Sequence, residues 1–256
     1  MTETSTQPPN MPLGVGDIIS SSFSIMFGNF FKVFILGFIG AFLGFIVNFL
    51  FLGFGAATGT DLTGSTASVL PTIISIVINM VVYGLVTALL IQLAYDAKLG
   101  RSSSIGEYFS SALPAIVPIV VLSVAIGILS MAGAIALIIG ALWVYAVFYV
   151  MAPVAVIERG GFGSMGRSAE LTKEYRWPIV GLFILVGVVS IALTFVAGFV
   201  VAILASIGGP IFAGIGLAMI NGLSYAFGGI VVALVYARLR EIKEGVDVDQ
   251  IASVFD

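Results

Sequence analysis

The chain has 256 residues, of which 60% are apolar and only 9% are charged, and its net charge is −3. Soluble domains have about a quarter of their residues charged, so this composition excludes an ordinary soluble domain. The small net charge and the lack of a basic block argue against nucleic-acid binding. The sequence also lacks cysteine and histidine, so it predicts neither an enzyme nor a metal or cofactor site.

The region before the first long apolar run divides into two parts. Residues 1–13 are polar and contain proline, without the basic start and apolar core of a signal peptide, and they predict a disordered cytosolic tail. Apolar side chains then recur at helical spacing and predict an amphipathic helix in the membrane interface. This apolar face consists of Ile19, Phe23, Met26, Phe27 and Phe30.

Six apolar runs are long enough to cross a bilayer, since one helical crossing takes about 20 residues. The GxxxG step of Gly40 and Gly44 in the first run, and the small residues Gly222 and Ala226 in the sixth, predict close packing between helices. The expected fold class is therefore all-α and polytopic, with one six-helix membrane domain over residues 14–238. Its spans are expected at about 31–56, 71–95, 115–132, 134–157, 178–207 and 211–237.

A short amphipathic segment precedes each of the three pairs of spans. The second segment, Ser104 to Leu113, opens with an S-x-x-E capping box formed by Ser104 and Glu107. The third covers Ser164 to Tyr175. We expect all three to be short interfacial helices on the cytoplasmic side, and either a true threefold repeat or a generic interfacial composition explains their recurrence.

The distribution of basic residues predicts the orientation. All ten Lys and Arg residues flank the N-terminal, second, fourth and C-terminal segments, whereas the other loops contain none. The positive-inside rule then places both termini in the cytoplasm. The expected partners are the lipid bilayer and the anionic headgroups of its cytoplasmic face.

Four uncharged polar side chains fall within or near the spans: Asn48, Asn79, Gln92 and Asn221. No Asp, Glu, Lys or Arg lies deep in a predicted span, which argues against an ion-coupled carrier. These amides either join helices by hydrogen bonds or line a polar cavity for a neutral solute.

The loop between the fourth and fifth spans is rich in charge. It predicts ion pairs that hold the loop against the bundle, although Glu158 could instead gate a polar passage. The candidate residues are Glu158, Arg159, Arg167, Glu170 and Lys173.

Residues 239–256 predict a charged cytosolic tail. In it, Ile251, Val254 and Phe255 share one face of a short helix. We expect this helix to dock on the basic central loop or on a partner protein, with a frayed, solvated terminus as the alternative.

Three stretches carry a resemblance: APVAVIE, then GRSAELTKEYRW before an aliphatic span, and the ending YARLREIKEGVDVDQIASVFD. They resemble the YciC-like family, which overlaps with the membrane domain attached to some glycerophosphoryl diester phosphodiesterases. The resemblance implies a six-helix protein of the bacterial cytoplasmic membrane with a role in envelope maintenance. Phosphodiesterase activity is not implied, because that chemistry depends on histidine and the chain has none.

Two functional hypotheses remain open from the sequence. The first is a scaffold or envelope-maintenance protein that acts through its cytoplasmic helices and tail. The second is a transporter or lipid-handling permease for a neutral or amphipathic small molecule. A closed, fully packed bundle favours the scaffold, and a cavity that converges on the asparagines favours transport. The oligomeric state stays open.

Overall fold

The computed structural model describes residues 12–58, 69–101, 103–135 and 138–245, and within these ranges every regular element is a helix. Six segments are long and apolar enough to cross a membrane, which confirms an all-α, polytopic fold. The helices are α1 (Val15–Gly28), α2 (Phe30–Leu52), α3 (Phe54–Thr58), α4 (Val69–Lys98), α5 (Ile105–Ile135), α6 (Ile138–Val147), α7 (Met151–Ile157), α8 (Ser164–Leu171), α9 (Arg176–Gly209) and α10 (Ile211–Glu244).

The first span is shorter than the expected 31–56. Helix α2 ends at Leu52 because Gly53 adopts φ 90° and ψ 173°, a conformation open to glycine and rarely to other residues. The short helix α3 follows. Gly209 makes the corresponding break between α9 and α10, with φ 68° and ψ −160°, at the turn that the sequence predicts.

The second amphipathic segment is not a separate helix. Helix α5 runs without a break from Ile105 to Ile135, so the expected boundary between the spans at 115–132 and 134–157 lies inside it. The capping box sets its start, since the Ser104 amide donates to Glu107 Oε2 at 2.7 Å and the Glu107 amide to Ser104 Oγ at 3.3 Å. One buried face continues past the prolines and explains the continuity: Tyr108, Ala112, Ala115 and Ile119.

The fourth span is broken, whereas the sequence predicts one helix over 134–157. Residues Phe148 to Val150 form a turn between α6 and α7. Pro153 has no amide hydrogen for the carbonyl of Tyr149, and its ring crowds that carbonyl, so the helix cannot continue regularly. The break leaves irregular backbone inside the bundle.

Helix α10 lies at the centre of the bundle and packs against α1, α2 and α4. Its small residues are buried as the sequence predicts, including Gly222 and Ala226. The GxxxG step of α2 faces α4, since a Cβ on Gly40 would stand 2.3 Å from Val86 Cγ2 and one on Gly44 would stand 2.9 Å from Asn79 Oδ1. Small residues therefore let α2 approach both α4 and α10 closely.

Helix α1 buries only part of the predicted apolar face. Ile18, Ser22 and Met26 are buried, whereas Phe27 is 65% exposed. The ring of Phe23 packs on Phe227 of α10 with centroids 4.7 Å apart. The buried hydroxyl of Ser22 donates to the carbonyl of Ile18 at 2.7 Å, so a polar residue can lie in this contact. The protein covers one face of α1, which leaves the Phe27 side for lipid.

Candidate functional site

A cavity of about 670 Å³ lies between α2, α3, α4 and α10. Three of the four predicted intramembrane amides line it: Asn48, Asn79 and Asn221. None of the described residues in its lining is charged. We call it the amide cavity.

Two of the amides belong to a hydrogen-bonded cluster with Ser75. Asn48 Oδ1 accepts from Ser75 Oγ at 2.8 Å and from Asn79 Nδ2 at 2.9 Å. Asn79 Nδ2 also donates to the Ser75 carbonyl at 2.9 Å. Ser75 and Asn79 are one helical turn apart on α4, so both face Asn48 of α2. The cluster joins the two helices and forms one wall of the cavity.

The cluster leaves hydrogen-bonding groups for a ligand. Its bonds use Oδ1 of Asn48 and Nδ2 of Asn79, so Nδ2 of Asn48 and Oδ1 of Asn79 have no side-chain or backbone partner among the described residues. Asn221 is exposed to the cavity and bonds to none of them. The cavity thus presents neutral donors and acceptors, which suit hydroxyl, carbonyl or amide groups.

Gln92 lies elsewhere. Its Oε1 accepts from Ser111 Oγ of α5 at 2.5 Å, and its Nε2 is buried without a hydrogen-bond partner. This side chain therefore joins α4 to α5 and does not line the amide cavity.

The amide cavity lies at one end of the bundle. It is formed by the C-terminal half of α2 and the N-terminal halves of α4 and α10. Lys32, Lys98 and Arg238 lie at the opposite ends of the same helices. The cavity and the basic residues are thus on opposite sides of the molecule.

The central loop is held by a closed ring of hydrogen bonds. Arg167 Nε donates to Glu158 Oε2 at 3.1 Å, and Arg167 Nη2 donates to Glu244 at the end of α10. Arg240 donates to Glu244 Oε2 at 2.7 Å and to the Tyr236 hydroxyl at 3.3 Å. The Tyr236 hydroxyl donates to Glu158 Oε1 at 2.9 Å. The ring links α7, α8 and α10.

The electrostatics of the ring keep Arg167 charged. Burial alone lowers the pKa of its guanidinium, but the hydrogen bonds to Glu244 and Glu158 outweigh burial and raise the pKa above its ordinary value. Every member of the ring except Tyr236 keeps some contact with solvent. The ring therefore fits the simpler of the two predicted roles, in which ion pairs hold the loop against the bundle.

The other loop charges take no part in this ring. Arg159 is exposed and forms no ion pair with a described residue. Its backbone has a positive φ of 52°. Glu170 contacts α10 through its backbone carbonyl, which accepts a hydrogen bond from Lys243 Nζ at 3.4 Å. Lys173 is exposed, and no Glu170–Lys173 pair forms in the described structure.

Two buried hydroxyls hold the loop against the broken span, and the sequence does not single them out for this role. Ser168 Oγ and Thr172 Oγ1 donate to the carbonyl of Val147 at 3.1 and 2.9 Å. That carbonyl lost its helical partner because the Met151 amide donates to Phe148. The hydroxyls thus satisfy a carbonyl that the break exposes.

The predicted docking residues Ile251, Val254 and Phe255 lie outside the described residues. Comparison of the chain with protein-family models, with curated proteins and with solved structures finds no match. The YciC-like resemblance stays a prediction.

Proposed function

We propose that the protein is a permease that binds a neutral or amphipathic small molecule in the amide cavity. The observation that supports this is the convergence of Asn48, Asn79 and Asn221, from three different helices, on one cavity of about 670 Å³. Small-molecule sites commonly have about 300–1,000 Å³ and a few convergent polar groups. Because no described lining residue is charged, the cavity suits a ligand without net charge.

We extend the proposal to the location of the protein in the cell and to the fate of its ligand. We place the protein in the cytoplasmic membrane of a bacterium with both termini inside, supported by the position of all ten basic residues at one end of the spans. The amide cavity then faces the outer half of the bilayer. The ligand is bound and released unchanged, since the described lining residues offer amides and hydroxyls but no carboxylate, imidazole or thiol.

Cysteine labelling tests whether the cavity is an aqueous binding site. The chain has no cysteine, so Leu217→Cys adds a single thiol to the cavity wall and leaves the three amides in place. Thr194→Cys is the matched control, because Thr194 is exposed on α9 away from the cavity. Thiols react as thiolates, which form in water and not in lipid. We expect the charged reagent MTSET to label Leu217→Cys quickly and Thr194→Cys slowly in proteoliposomes.

The second stage of the experiment tests for a ligand. Uncharged amphipathic compounds are screened for those that slow the labelling of Leu217→Cys, and each hit is then tested for uptake into the same proteoliposomes. Slow labelling of Leu217→Cys, at the rate of the control, contradicts an aqueous cavity. A labelled cavity that no compound protects contradicts the permease proposal.

The scaffold hypothesis is the second candidate, and helix α9 favours it. Ile191, Leu193 and Phe195 are all exposed although they do not share one helix face. An apolar helix open on several sides can contact another membrane protein as well as lipid.

Deletion of residues 248–256 tests this role: a scaffold that acts through its tail keeps its fold but loses co-purifying partners. Retention of every partner by the truncated protein argues against it.

A further inference from the structure

A second cavity, of about 340 Å³, lies beside the broken fourth span. Among the described residues that line it, every polar side chain is a hydroxyl: Tyr83, Thr87, Ser123, Tyr145 and Tyr149. We propose that this tyrosine cavity is a separate binding site for an uncharged, lipid-soluble molecule that carries a ring and a hydroxyl or carbonyl group. The proposal does not depend on the permease function.

The backbone creates the room for this cavity. The turn from Phe148 to Val150 interrupts the span, and residues on both sides of the turn line the cavity. Across from them, α10 contributes Gly228, where an added Cβ would meet no atom within 4 Å. In membrane proteins, irregular backbone inside the bilayer is tolerated where it is buried in protein or lines a cavity. The break and the glycine together leave a space that the side chains do not fill.

The lining chemistry defines the ligand class. The rings of Phe148 and Phe183 and the thioether of Met151 supply apolar, polarisable surface. None of the described lining residues is charged, so an ionic ligand would lose its hydration without a counter-charge. Aromatic surface with several hydroxyls favours a neutral ring that donates or accepts a few hydrogen bonds.

The position of the mouth indicates how such a ligand arrives. Tyr145 of α6 and Phe183 of α9 both line the cavity, and their rings stack with centroids 5.9 Å apart. Both are partly exposed, at 45% and 39%, on the surface of two candidate spans. Lipid covers that surface in a membrane, so the ligand enters sideways from the bilayer, between α6 and α9, by parting the two stacked rings.

Photolabelling with 4-hydroxybenzophenone tests the site. This probe is neutral, has two rings, one hydroxyl and one carbonyl, and attaches to nearby C–H bonds under near-ultraviolet light. We expect saturable labelling of the purified full-length protein, mapped by peptide mass spectrometry to the segment around Phe148 to Ala152. Gly228→Leu fills the cavity and should reduce this labelling at least about tenfold.

Gly181→Leu is the control, because Gly181 lies on exposed α9 and an added Cβ there also meets no atom within 4 Å. It should leave the labelling unchanged. If Gly228→Leu does not fold, Ser123→Leu fills the cavity from the opposite wall. Non-saturable labelling along all exposed helices, or labelling that neither filling variant reduces, overturns the proposal. MTSET labelling of Leu217→Cys is measured in the same variants, so failure here is distinguished from failure of the permease proposal.

Discussion

Gly37 of α2 and Gly222 of α10 pack backbone against backbone. A Cβ on Gly37 would stand 2.3 Å from the carbonyl oxygen of Gly222, and one on Gly222 would stand 2.6 Å from the carbonyl carbon of Gly37. Backbone cannot move aside as the end of a side chain can. Any residue larger than glycine at either position must therefore separate the two helices.

We accordingly expect Gly222→Leu to destabilise the bundle by about 3 kcal/mol or more, at the upper end of measured overpacking effects. The midpoint of denaturant unfolding of the purified protein measures this change. Gly181→Leu adds the same side chain on exposed α9 and should cost little. Equal losses from the two variants would show that the small-residue face has no special packing role.

The ring of charges should contribute modestly to stability. Arg167→Ala removes the bonds to Glu158 and Glu244, and we expect a loss of about 1–2 kcal/mol because the ring is partly exposed to solvent. Arg159→Ala removes an arginine of the same loop that has no ion pair in the described structure and should stay within about 0.5 kcal/mol of the parent. The difference should shrink at high salt. A salt-independent difference would indicate packing by the Arg167 side chain instead.

The two hydroxyls on the Val147 carbonyl should act together. Ser168→Ala or Thr172→Val alone leaves that carbonyl one partner, so each should cost about 0.5–1.5 kcal/mol. The double variant leaves it without either, and the loss should exceed the sum of the single losses. Thr194→Val, on an exposed site of α9, is the control. Strict additivity in thermal unfolding would show that the two bonds are independent.

The three cavity amides should separate into two roles. Asn79→Leu removes bonds to Asn48 and Ser75 and should lower stability by about 1–3 kcal/mol. Asn221→Leu removes no hydrogen bond to a described residue, so its stability should change little while ligand protection of the cavity is lost. Protection is measured with the single cysteine of Leu217→Cys, which leaves the other cavity amides in place. Full protection in Asn221→Leu would remove Asn221 from the site.

The orientation predicts opposite labelling of two loops. Thr63→Cys should react with membrane-impermeant thiol reagents added outside intact cells, and Lys173→Cys only after permeabilisation. Lys173 is exposed, so its substitution should not disturb the fold. Labelling of Lys173→Cys in intact cells would contradict cytoplasmic termini.

Apolar run lengths and small-residue spacing were sufficient to predict the six spans and the packed face of α10. The same patterns could not predict the break in the fourth span. Pro114 and Pro118 lie inside the continuous helix α5, whereas Pro153 lies directly after a break, so proline alone does not tell the two cases apart. The difference comes from tertiary partners, since the hydroxyls of Ser168 and Thr172 satisfy the carbonyl of Val147. Proline in a sequence therefore indicates where a helix can break, and the tertiary contacts around it decide whether the helix is interrupted there.

Helical geometry explains which amides meet. Ser75 and Asn79 are four residues apart on α4 and share a face, whereas Gln92 follows Asn79 by about 220° of rotation, at about 100° per residue. Gln92 therefore turns to α5. The sequence could have separated Gln92 from the others on this basis. The arrival of Asn48 and Asn221 at the same cavity depends on how α2 and α10 pack against α4, which local pattern does not determine.

The ring of Tyr83 forms part of the wall of both cavities. A ligand that displaces this ring in one cavity changes the shape of the other, so the two affinities are linked. Linkage is reciprocal: whatever factor the first ligand imposes on the second, the second imposes on the first. If both proposed ligands bind, a lipid-soluble molecule in the bilayer would set how tightly the water-soluble one is held, and the composition of the membrane would then act as an effector of the protein.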